Sequence, residues 1–507
     1  MENDRYLNLA PSPLPLIESL RDIGYSMETA IADIIDNSIT AKATNVWIRF
    51  SWNFDNPWIA IIDDGYGMTE DVLIEAMRFG SKNPRDDRPE DDLGRFGLGM
   101  KTASFSQCRH LTVLSKQNRR LSCCDWNLDK IASDYRQNEN NEWRLGVTNQ
   151  ENLPKHEFLY ALYQEYLEEI DSGTIILWEN IDRIESQNTP AAREKLFNSL
   201  LDDTRKHVEL VFHRFLSPDS GKKRITVVMN GDELEAYNPF NPNRLATQEL
   251  DEHKFSLEGE EIRVQPYVLP HLNKVSRQEY EKYAGEGGYL QNQGFYIYRN
   301  RRLIINGTWF RLIKKSYLNQ LIRIRVDIPN TLDHLWRIDV KKSNATLPES
   351  VKKELRQIIG KIEIKGKKVF EQKGQKLSSK VKIPVWIRRA AGGSIIYEIN
   401  REYPLIEQLF TSMSGDQKEI LKDLISVCES NFPADLFFND FASNPEQIER
   451  PEFDVNGLER LLETVLAFWI QEGMEGEHVA DDLLATEPFA SNRDFCREVL
   501  ERKGYLP

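Results

Sequence analysis

Hydrophobic residues recur at helical spacing between Ala30 and Thr40. Four isoleucines and Ser38 occupy positions i, i+3, i+4, i+7 and i+8, and this pattern predicts an α-helix with one apolar stripe. Asp33 and Asn37 lie one turn apart on another side of that helix. A carboxylate and an amide in this arrangement suit a site where the amide oxygen ligates a hard cation and the carboxylate takes a proton from water. A solvated polar face is the alternative, and the helix alone does not decide between them.

The two strands predicted next lead into a loop that contains glycine. β-Branched and aromatic residues from 46 to 52 predict the first strand, and the run that ends at Asp63 predicts the second. Gly65 and Gly67, followed by Met68, then allow a tight backbone turn. A carboxylate fixed at this strand end can accept a hydrogen bond from an exocyclic amine such as that of adenine. An ordinary strand-to-loop turn would also use these residue types.

A second glycine loop precedes a segment of helical composition. Gly94, Gly97 and Gly99 lead into residues 100–107. Such a loop exposes backbone N–H groups and the positive end of the helix dipole, so it predicts an anion site. Lys101 in the first turn opposes that dipole unless a phosphate is bound there. The spacing differs from that of a P-loop, and no GxGxxG sequence follows a Rossmann strand, so both of those nucleotide folds are disfavoured.

The segment between the two glycine loops, residues 69–93, is charged and rich in turn-forming residues. It is too long for a tight connection, so it predicts a mobile lid over the pocket, with a plain surface loop as the alternative. Further along, Gly173 and Thr174 begin a strand that runs to Trp178. A threonine hydroxyl at that position can support a network of carboxylate, water and adenine.

The pattern changes beyond about residue 190. Residues 192–216 predict a helix, and residues 350–380 predict a lysine-rich helical stretch. Strands are predicted within the stretches KRITVVMNGDELEAYNPF, GFYIYRNRRLIIN, LIRIRVDIP and LWRIDV. The remainder of the chain is mainly helical in pattern and contains no catalytic cluster of residues.

Length and composition predict a soluble protein of several domains. A chain of 507 residues is too long for one hydrophobic core. It contains no apolar run long enough to span a membrane, and its N-terminus lacks the pattern of a signal peptide, so a cytoplasmic location is expected. The five cysteines form no C-x-x-C pair, which predicts reduced thiols and no zinc site.

Charge is distributed unevenly along the chain. The formal net charge of −14 argues against an overall nucleic-acid coat. Residues 351–390 nevertheless carry thirteen Lys or Arg against three Glu, whereas residues 401–507 carry nine Lys or Arg against twenty-three Asp or Glu. The basic segment is a candidate for DNA contact, with a solvated helix or linker as the alternative.

The four motifs, in this order, resemble those of the GHKL ATPases, the superfamily of gyrase, the ninety-kilodalton heat-shock chaperones, histidine kinases and MutL. The resemblance is strongest to the MORC and MutL branch, because GRFGLGMKTAS is similar to the corresponding MORC loop. In addition, GFYIYRNRRLI, residues 294–304, is similar to a strand of the second MORC domain.

This resemblance implies an α/β fold that begins with a GHKL (Bergerat) two-layer α/β sandwich with an antiparallel or mixed sheet. An α/β transducer domain and a mainly helical C-terminal region follow. The predicted boundaries are 1–188 for the ATPase domain with its N-terminal arm, 189–350 for the transducer-like domain, 351–392 for a basic helical linker, and 393–507 for an acidic helical domain.

The resemblance also implies ATP and Mg²⁺ as ligands. Carried over to this sequence, it assigns Mg²⁺ to Asn37 and the adenine amine to Asp63. The other ATP-binding residues that it implies are Gly65, Gly67, Met68 and Thr174 beside the adenine and Gly94, Gly97, Leu98, Gly99, Met100, Lys101 and Thr102 around the phosphates.

The implied catalytic residues depart from the family pattern at one position. Asp33 stands where most members have a catalytic Glu, and it shortens the reach of the base by roughly 1.5 Å. We therefore expect slow hydrolysis or a need for closure, with Glu28 as a less favoured base. A transducer lysine reaches the terminal phosphate in the family, and the matching residues are Lys342 and, less favoured, Lys341.

The function implied is that of a Mg-dependent ATPase of MORC or MutL type. It would form a homodimer through its N-terminal domains on binding ATP and act as a clamp on DNA or within a multiprotein complex, with the C-terminal domain binding a protein partner. By association, bacterial members suggest antiviral defence. The alternative is a heat-shock-type folding chaperone. A histidine kinase is disfavoured, because His207 and His213 lie outside the usual phosphoacceptor context.

Overall fold

The structure is a computed structural model, and two compact units, residues 1–363 and 364–507, divide the chain. It describes residues 11–22, 24–80, 99–136, 143–184, 189–219, 221–270, 274–316, 319–336, 347–362, 383–391, 394–434, 436–437, 454–471 and 477–506.

A mixed eight-stranded sheet is the framework of the first half of unit one. Its strands are β1 Asn45–Ser51, β2 Trp58–Asp63, β3 Cys108–Gln117, β4 Arg120–Asn127, β5 Gly146–Thr148, β6 Gly173–Ile181, β7 Thr226–Met229 and β8 Asp232–Glu233. They lie in the order β5-β4-β3-β6-β2-β1-β7-β8. Only β1 and β7 run parallel, and the other neighbours are antiparallel. The expectation of an antiparallel or mixed sheet is therefore confirmed.

Helices cover both faces of this sheet. They are α1 Pro13–Arg21, α2 Met27–Thr40, α3 Glu70–Met77, α4 Gly99–Gln107, α5 Leu128–Arg136, α6 Glu157–Tyr166 and α7 Pro190–Val211. Side chains alternate along β2, so Ile59 and Ile61 join the core beneath α2, α4 and α7, whereas Ala60 and Ile62 join a smaller cluster with α6. The larger core is continuous with Tyr298 of the second sheet.

The second sheet in unit one has six strands. They are β9 Gln248–Glu249, β10 His253–Leu257, β11 Glu260–Val268, β12 Gly294–Arg299, β13 Arg302–Thr308 and β14 Ile322–Ile328. The main path is β10-β11-β14-β12-β13, with β9 paired to β11. The helices of this part are α8 His213–Leu216, α9 Arg277–Ala284, α10 Gly288–Gln291, α11 Asp333–Trp336 and α12, residues 349–362. The buried side chains of α12 pack into the core of this sheet.

One strand pairs differently from the sequence-based interpretation. The stretch KRITVVMNGDELEAYNPF does contain a strand, but Thr226–Met229 pairs in parallel with Asn45–Ile48 and so extends the first sheet. The residues that alternate inward, Val227 and Met229, lie in the core of that sheet. Strand pairing between distant segments is not visible in local periodicity, so the pattern could predict the strand without predicting its neighbour.

Unit two is mainly helical, as expected. It contains a hairpin of β15 Trp386–Ala391 and β16 Ser394–Ile399, and the helices α13 Pro404–Ser412, α14 Gly415–Ser430, α15 Val455–Gln471, α16 Glu477–Leu483 and α17 Arg493–Arg502. Its core includes Leu462, Leu483 and Cys496. Within the part of the chain that the structure describes, no helix combines the length and the apolar character needed to cross a bilayer.

Candidate functional site

Three polar residues of α2 are buried, and each faces a different part of unit one. Asp33, Asp36 and Ser38 expose 7%, 1% and 1% of their surface. Ser38 contacts the end of β2, Asp33 contacts Tyr25 in the segment before the helix, and Asp36 contacts the second sheet. The helix predicted from the isoleucine spacing therefore connects three regions through its polar side chains.

Asp63 is the buried carboxylate at the end of β2. Its Oδ2 accepts a hydrogen bond from Ser38 Oγ at 2.9 Å, and its Oδ1 accepts one from the Gly65 N–H at 2.9 Å. Burial raises the pKa of Asp63 to about 6, although these two hydrogen bonds favour the charged form. An ionised carboxylate accepts about four hydrogen bonds. Asp63 therefore keeps acceptor capacity for a donor from a ligand.

Ser115 of β3 joins Thr174 to the loop that follows Asp63. Ser115 Oγ lies 3.0 Å from Thr174 Oγ1 and accepts a hydrogen bond from the Met68 N–H at 2.8 Å. Thr174 is paired with Asp63 across β2 and β6. The structure thus brings together three of the predicted residues, Asp63, Met68 and Thr174. Sequence reasoning missed Ser115, whose role depends on a strand that pairs across the sheet.

The two glycines after Asp63 lie where a side chain would not fit. A Cβ on Gly65 would come within 2.8 Å of Ala41 Cβ, at the C-terminal end of α2. Gly67 has a positive φ of +65°, and a Cβ there would lie 1.9 Å from the Lys116 carbonyl oxygen. The loop can therefore follow this path only with glycine at both positions.

Asp33 lies between Tyr25 and the first described residue of α4. Tyr25 Oη donates to Asp33 Oδ2 at 3.0 Å, and the Tyr25 carbonyl accepts from Gln107 Nε2 at 3.0 Å. A Cβ on Gly99 would lie 3.6 Å from Asp33 Oδ2. Gly99 therefore lies directly beside the Asp33 carboxylate, at a distance where an added Cβ would make an ordinary van der Waals contact. Tyr25 was not predicted, because eight residues and the start of the helix separate it from Asp33.

Asn37 lies one turn after Asp33 on α2 and is half-buried. Among the described residues, no hydrogen-bond partner is recorded for its side-chain amide. Within the described part of the chain, its amide oxygen is therefore available to ligate a metal ion. Glu28, the less favoured base, is half-buried in the first turn of the same helix.

The start of α4 contacts α3. Lys101 is buried, and its Nζ donates to the Ala76 carbonyl at 2.6 Å and lies 5.9 Å from the centroid of the Phe79 ring. A lysine near the last carbonyls of a helix interacts favourably with the helix dipole. Met100 is half-buried, and Thr102 is buried. Lys101 thus has a structural partner on α3, and its contact with phosphate stays a prediction.

Several predicted residues lie outside the described residues. They are Gly94, Gly97, Leu98, Lys341 and Lys342, together with residues 81–93 of the predicted lid. Within the first part of that lid, residues 70–77 form helix α3, with Thr69 as N-cap and Leu73 and Met77 buried. The apolar spacing of this helix was obscured by the charged residues around it.

Asp36 forms a buried ion pair with the second sheet. Arg302 Nε donates to Asp36 Oδ1 at 3.0 Å, and the Arg302 guanidinium lies 4.4 Å from the centroid of the Phe212 ring. The nearby His207 is half-buried, and desolvation together with the Arg302 charge lowers its pKa to about 3. His207 is therefore neutral beside this pair. Sequence reasoning assigned no role to Asp36.

Comparison with known families identifies the part of the chain that holds these residues. The sequence model of the family described as "Histidine kinase-, DNA gyrase B-, and HSP90-like ATPase" matches residues 25–155, about a quarter of the chain. The match spans Tyr25, α2, the Asp63 loop, α4 and Ser115.

Two curated proteins share a shorter similarity with this chain. The protein "ATPase morc-1" of Caenorhabditis elegans is 29% identical over 90 residues, which cover 18% of this chain and 10% of that protein. The protein "ATPase MORC2B" of Mus musculus is 30% identical over 98 residues, which cover 18% of this chain and 9% of that protein. The chain thus spans about a tenth of the length of these relatives.

Proposed function

The chain carries an ATPase domain of the GHKL superfamily with MORC-like sequence, and on that premise we propose that it binds ATP with Mg²⁺ and hydrolyses it. The observation that carries this proposal is the environment of Asp63. A buried carboxylate, fixed by Ser38 and the Gly65 N–H, faces a loop with no room for side chains at two glycines. Such a carboxylate suits recognition of an adenine amine.

The residues around α2 also fit a magnesium-bound triphosphate. Asn37 offers an amide oxygen without a recorded partner among the described residues, and amide oxygens are ligands that Mg²⁺ accepts. Gly99, at the start of α4, lies directly beside the Asp33 carboxylate. We assign Asn37 to the metal, Asp63 and Thr174 to the adenine, and the first turn of α4 to the phosphates. When bound, Mg²⁺ would neutralise part of the phosphate charge.

Asp33 is the proposed general base. Its carboxylate would accept a proton from the attacking water, while the hydrogen bond from Tyr25 Oη holds its orientation. Phosphoryl transfer to water requires mainly positioning and electrostatic stabilisation. The shorter reach of Asp relative to Glu is consistent with slow turnover. Lys342 or Lys341 would contribute a positive charge at the terminal phosphate.

We further propose that ATP binding drives homodimerisation through the N-terminal domains, and that the dimer acts as a clamp on DNA or within a protein complex. The Asp36–Arg302 pair and the core shared with Tyr298 support a connection between the nucleotide site and the second sheet. Exposed apolar residues of α14, spaced as one helical face, support a protein partner for unit two: Ile420, Leu424 and Val427.

Calorimetry with MgATP tests the binding proposal. We expect the wild-type chain to bind one ATP per chain, and Asn37→Ala to abolish binding. A folded wild-type chain that gives no heat of binding would contradict the proposal.

Light scattering with a non-hydrolysable ATP analogue tests dimerisation. A chain that stays monomeric at a saturating concentration of the analogue would contradict the proposed dimerisation.

Phosphate release distinguishes the two candidate bases. We expect Asp33→Asn to bind ATP but lose turnover, whereas Glu28→Gln, a matched change on the same helix, keeps it. The opposite result would move the base to Glu28.

DNA binding is tested by its salt dependence with and without ATP, using a variant that neutralises lysines between Lys352 and Lys382. Most of that segment lies outside the described residues.

A further inference from the structure

A second cleft opens between the C-terminal end of α2 and the second sheet. It encloses about 740 Å³. Ile39 and Lys42 form one side, Arg263 and Arg325 of the second sheet form another, and Arg301 lies at the turn between β12 and β13. Asn37 and Asp63 do not line it. The cleft is therefore separate from the proposed ATP site, although both involve α2.

The lining of this cleft is positively charged in a chain whose net charge is −14. Eight Lys or Arg residues and four Asp or Glu residues line it, so that four positive charges are in excess. A concave surface lined by one sign of charge concentrates ligands of the opposite sign. This charge predicts an anionic ligand.

Most of the carboxylates in the cleft already have partners. Asp327 pairs with Arg214 and with Arg325 Nε at 3.1 Å, and Glu261 pairs with Arg263 at 2.6 Å. By contrast, no carboxylate partner is recorded among the described residues for three of the cations: Lys222, Lys223 and Arg301. These three side chains therefore contribute positive charge that no ion pair within the described part of the chain balances, and two of them are exposed in the loop between α8 and β7.

Arg301 is the half-buried member of the three. Its guanidinium lies 4.4 Å from the centroid of the Phe215 ring, donates to the Arg214 carbonyl, and has a buried Nε with no hydrogen-bond partner. Burial and the neighbouring Arg214 charge lower its pKa. Arg301 and Asn300 adopt φ values of 72° and 48° in a turn between two paired strands, which holds the side chain at a fixed position. A half-buried cation in this setting would be stabilised by an anion in the cleft.

We propose that this cleft binds a small phosphate-bearing molecule that carries at least two negative charges. The planar guanidinium of Arg301 matches the geometry of a phosphate, and Lys222 and Lys223 add charge at the rim. Phe215, Ile225 and Ile328 provide an apolar wall for the rest of the molecule.

The volume favours a small ligand over a polymer. Pockets for small molecules enclose roughly 300–1,000 Å³. The volume of this cleft, about 740 Å³, lies within that range.

The position of the cleft also predicts an effect on the ATPase, a consequence that rests on the proposed function. Arg301 directly precedes Arg302, whose Nε donates to Asp36 on α2, and Asp36 directly precedes Asn37. An anion that binds Arg301 therefore acts one residue away from the buried pair that connects the second sheet to the proposed metal ligand. We expect occupancy of the cleft to change ATP turnover.

Inorganic pyrophosphate is a suitable probe, because it has the required charge and lacks adenine. It is titrated by calorimetry into the full chain, at constant free Mg²⁺, both with and without a saturating non-hydrolysable ATP analogue. We expect one site per chain that persists with the analogue present. Binding should weaken about fivefold in Lys222→Gln/Lys223→Gln and about tenfold in Arg301→Gln.

The matched control is Lys130→Gln/Lys195→Gln, which removes two exposed charges from the same unit outside the cleft. It should bind pyrophosphate like the wild type. The cleft variant Lys222→Gln/Lys223→Gln alters only an exposed loop, so it tests the site even if Arg301→Gln does not fold. The proposal is overturned if the wild type binds no pyrophosphate, if the cleft and control variants bind it equally, or if only an oligonucleotide binds in a cleft-dependent manner.

This direct binding experiment does not depend on ATP hydrolysis. If the chain binds pyrophosphate in the cleft but no ATP, the proposed function fails and the cleft site stands. If pyrophosphate binds and changes turnover in the wild type but not in Arg301→Gln, both are supported.

Discussion

Arg302 Nε lies 3.0 Å from Asp36 Oδ1, and this buried pair joins the second sheet to the helix that carries Asn37. Asp36 is 1% exposed, and the Arg302 guanidinium compensates its charge in place of solvent. A buried ion pair of this kind contributes little net stability compared with an apolar pair, but loss of one partner is costly. We therefore expect the pair to matter mainly through the cost of losing one partner.

A double-mutant cycle measures this coupling. Asp36→Asn and Arg302→Gln should each lower the free energy of unfolding by about 3–5 kcal/mol, because each leaves a buried partner uncompensated. The double variant should lose less than the sum, by at least about 1 kcal/mol. Urea unfolding gives these values.

The control cycle uses Arg119 and Asp171, which form an ion pair at 2.7 Å with side chains 80% and 72% exposed. Solvent screens this pair, so its coupling energy should be much smaller than that of the buried pair. Equal coupling energies in the two cycles would show that burial does not strengthen the coupling between Asp36 and Arg302.

Tyr25→Phe tests whether the phenol positions the proposed base. The variant loses the 3.0 Å hydrogen bond to Asp33 but keeps the aromatic ring. We expect kcat for phosphate release to fall about tenfold, because a misplaced catalytic group loses much of its effect. The Kd for ATP should stay within about twofold of the wild type.

Tyr135→Phe serves as the control, because this tyrosine is 43% exposed on α5. It should leave both kcat and Kd unchanged. Equal turnover of the Tyr25 variant and the wild type would remove Tyr25 from the site. A parallel loss of ATP binding and thermal stability would indicate a purely structural role.

Asp63→Asn should separate stability from nucleotide binding. The folded-state pKa of Asp63 is raised to about 6 from its usual 3.8, chiefly by burial. The folded chain therefore holds this proton more tightly than the unfolded chain. The contribution of this group to stability is greatest below about pH 4 and decreases as the pH rises through about 6.

The asparagine variant lacks this titration. Relative to the wild type, its free energy of unfolding should rise by about 1–3 kcal/mol between pH 4 and pH 7.5. Its affinity for ATP at pH 7.5 should fall at least about tenfold, because an anionic acceptor is lost. Unfolding curves and calorimetry at the two pH values test this. Unchanged ATP affinity would contradict the assignment of Asp63 to the adenine.

Gly67→Ala should destabilise the loop beyond the usual cost of a positive φ. The new Cβ would lie 1.9 Å from the Lys116 carbonyl oxygen, in addition to the unfavourable backbone conformation. Gly259→Ala is the matched control, because Gly259 has a φ of +88° and no atom within 4 Å of the added Cβ. We expect about 1–2 kcal/mol of destabilisation for the control and at least about 3 kcal/mol for Gly67→Ala. Equal melting temperatures for the two variants would contradict this account.

The parts of this fold that depend on local pattern could be predicted from the sequence. The isoleucine spacing of α2, the strand that ends at Asp63 and the glycines after it all follow from chain periodicity and turn chemistry. The motif order was sufficient to predict a GHKL fold. Thr174 was assigned to the site through that order, although the residues around it carry little functional signal of their own.

The contacts that complete the site could not be predicted in this way. Tyr25, Ser38 and Ser115 act through partners that the fold brings from other elements. Ser38 was counted as part of the apolar stripe, and its hydroxyl in fact binds Asp63. The Asp36–Arg302 pair joins residues 266 positions apart, and no periodicity reports such a distance along the chain.

The parallel pairing of β7 with β1 sets a practical limit on truncation. A recombinant fragment that stops at residue 188 would lack both α7 and β7, leaving the backbone edge of β1 available to other chains. It would also lack Phe197 and Val208, which are fully buried in the first core. During synthesis, the part of the chain that holds the proposed ATP site can complete its core only after these later residues have been translated. We therefore expect soluble ATPase fragments to extend past Phe240.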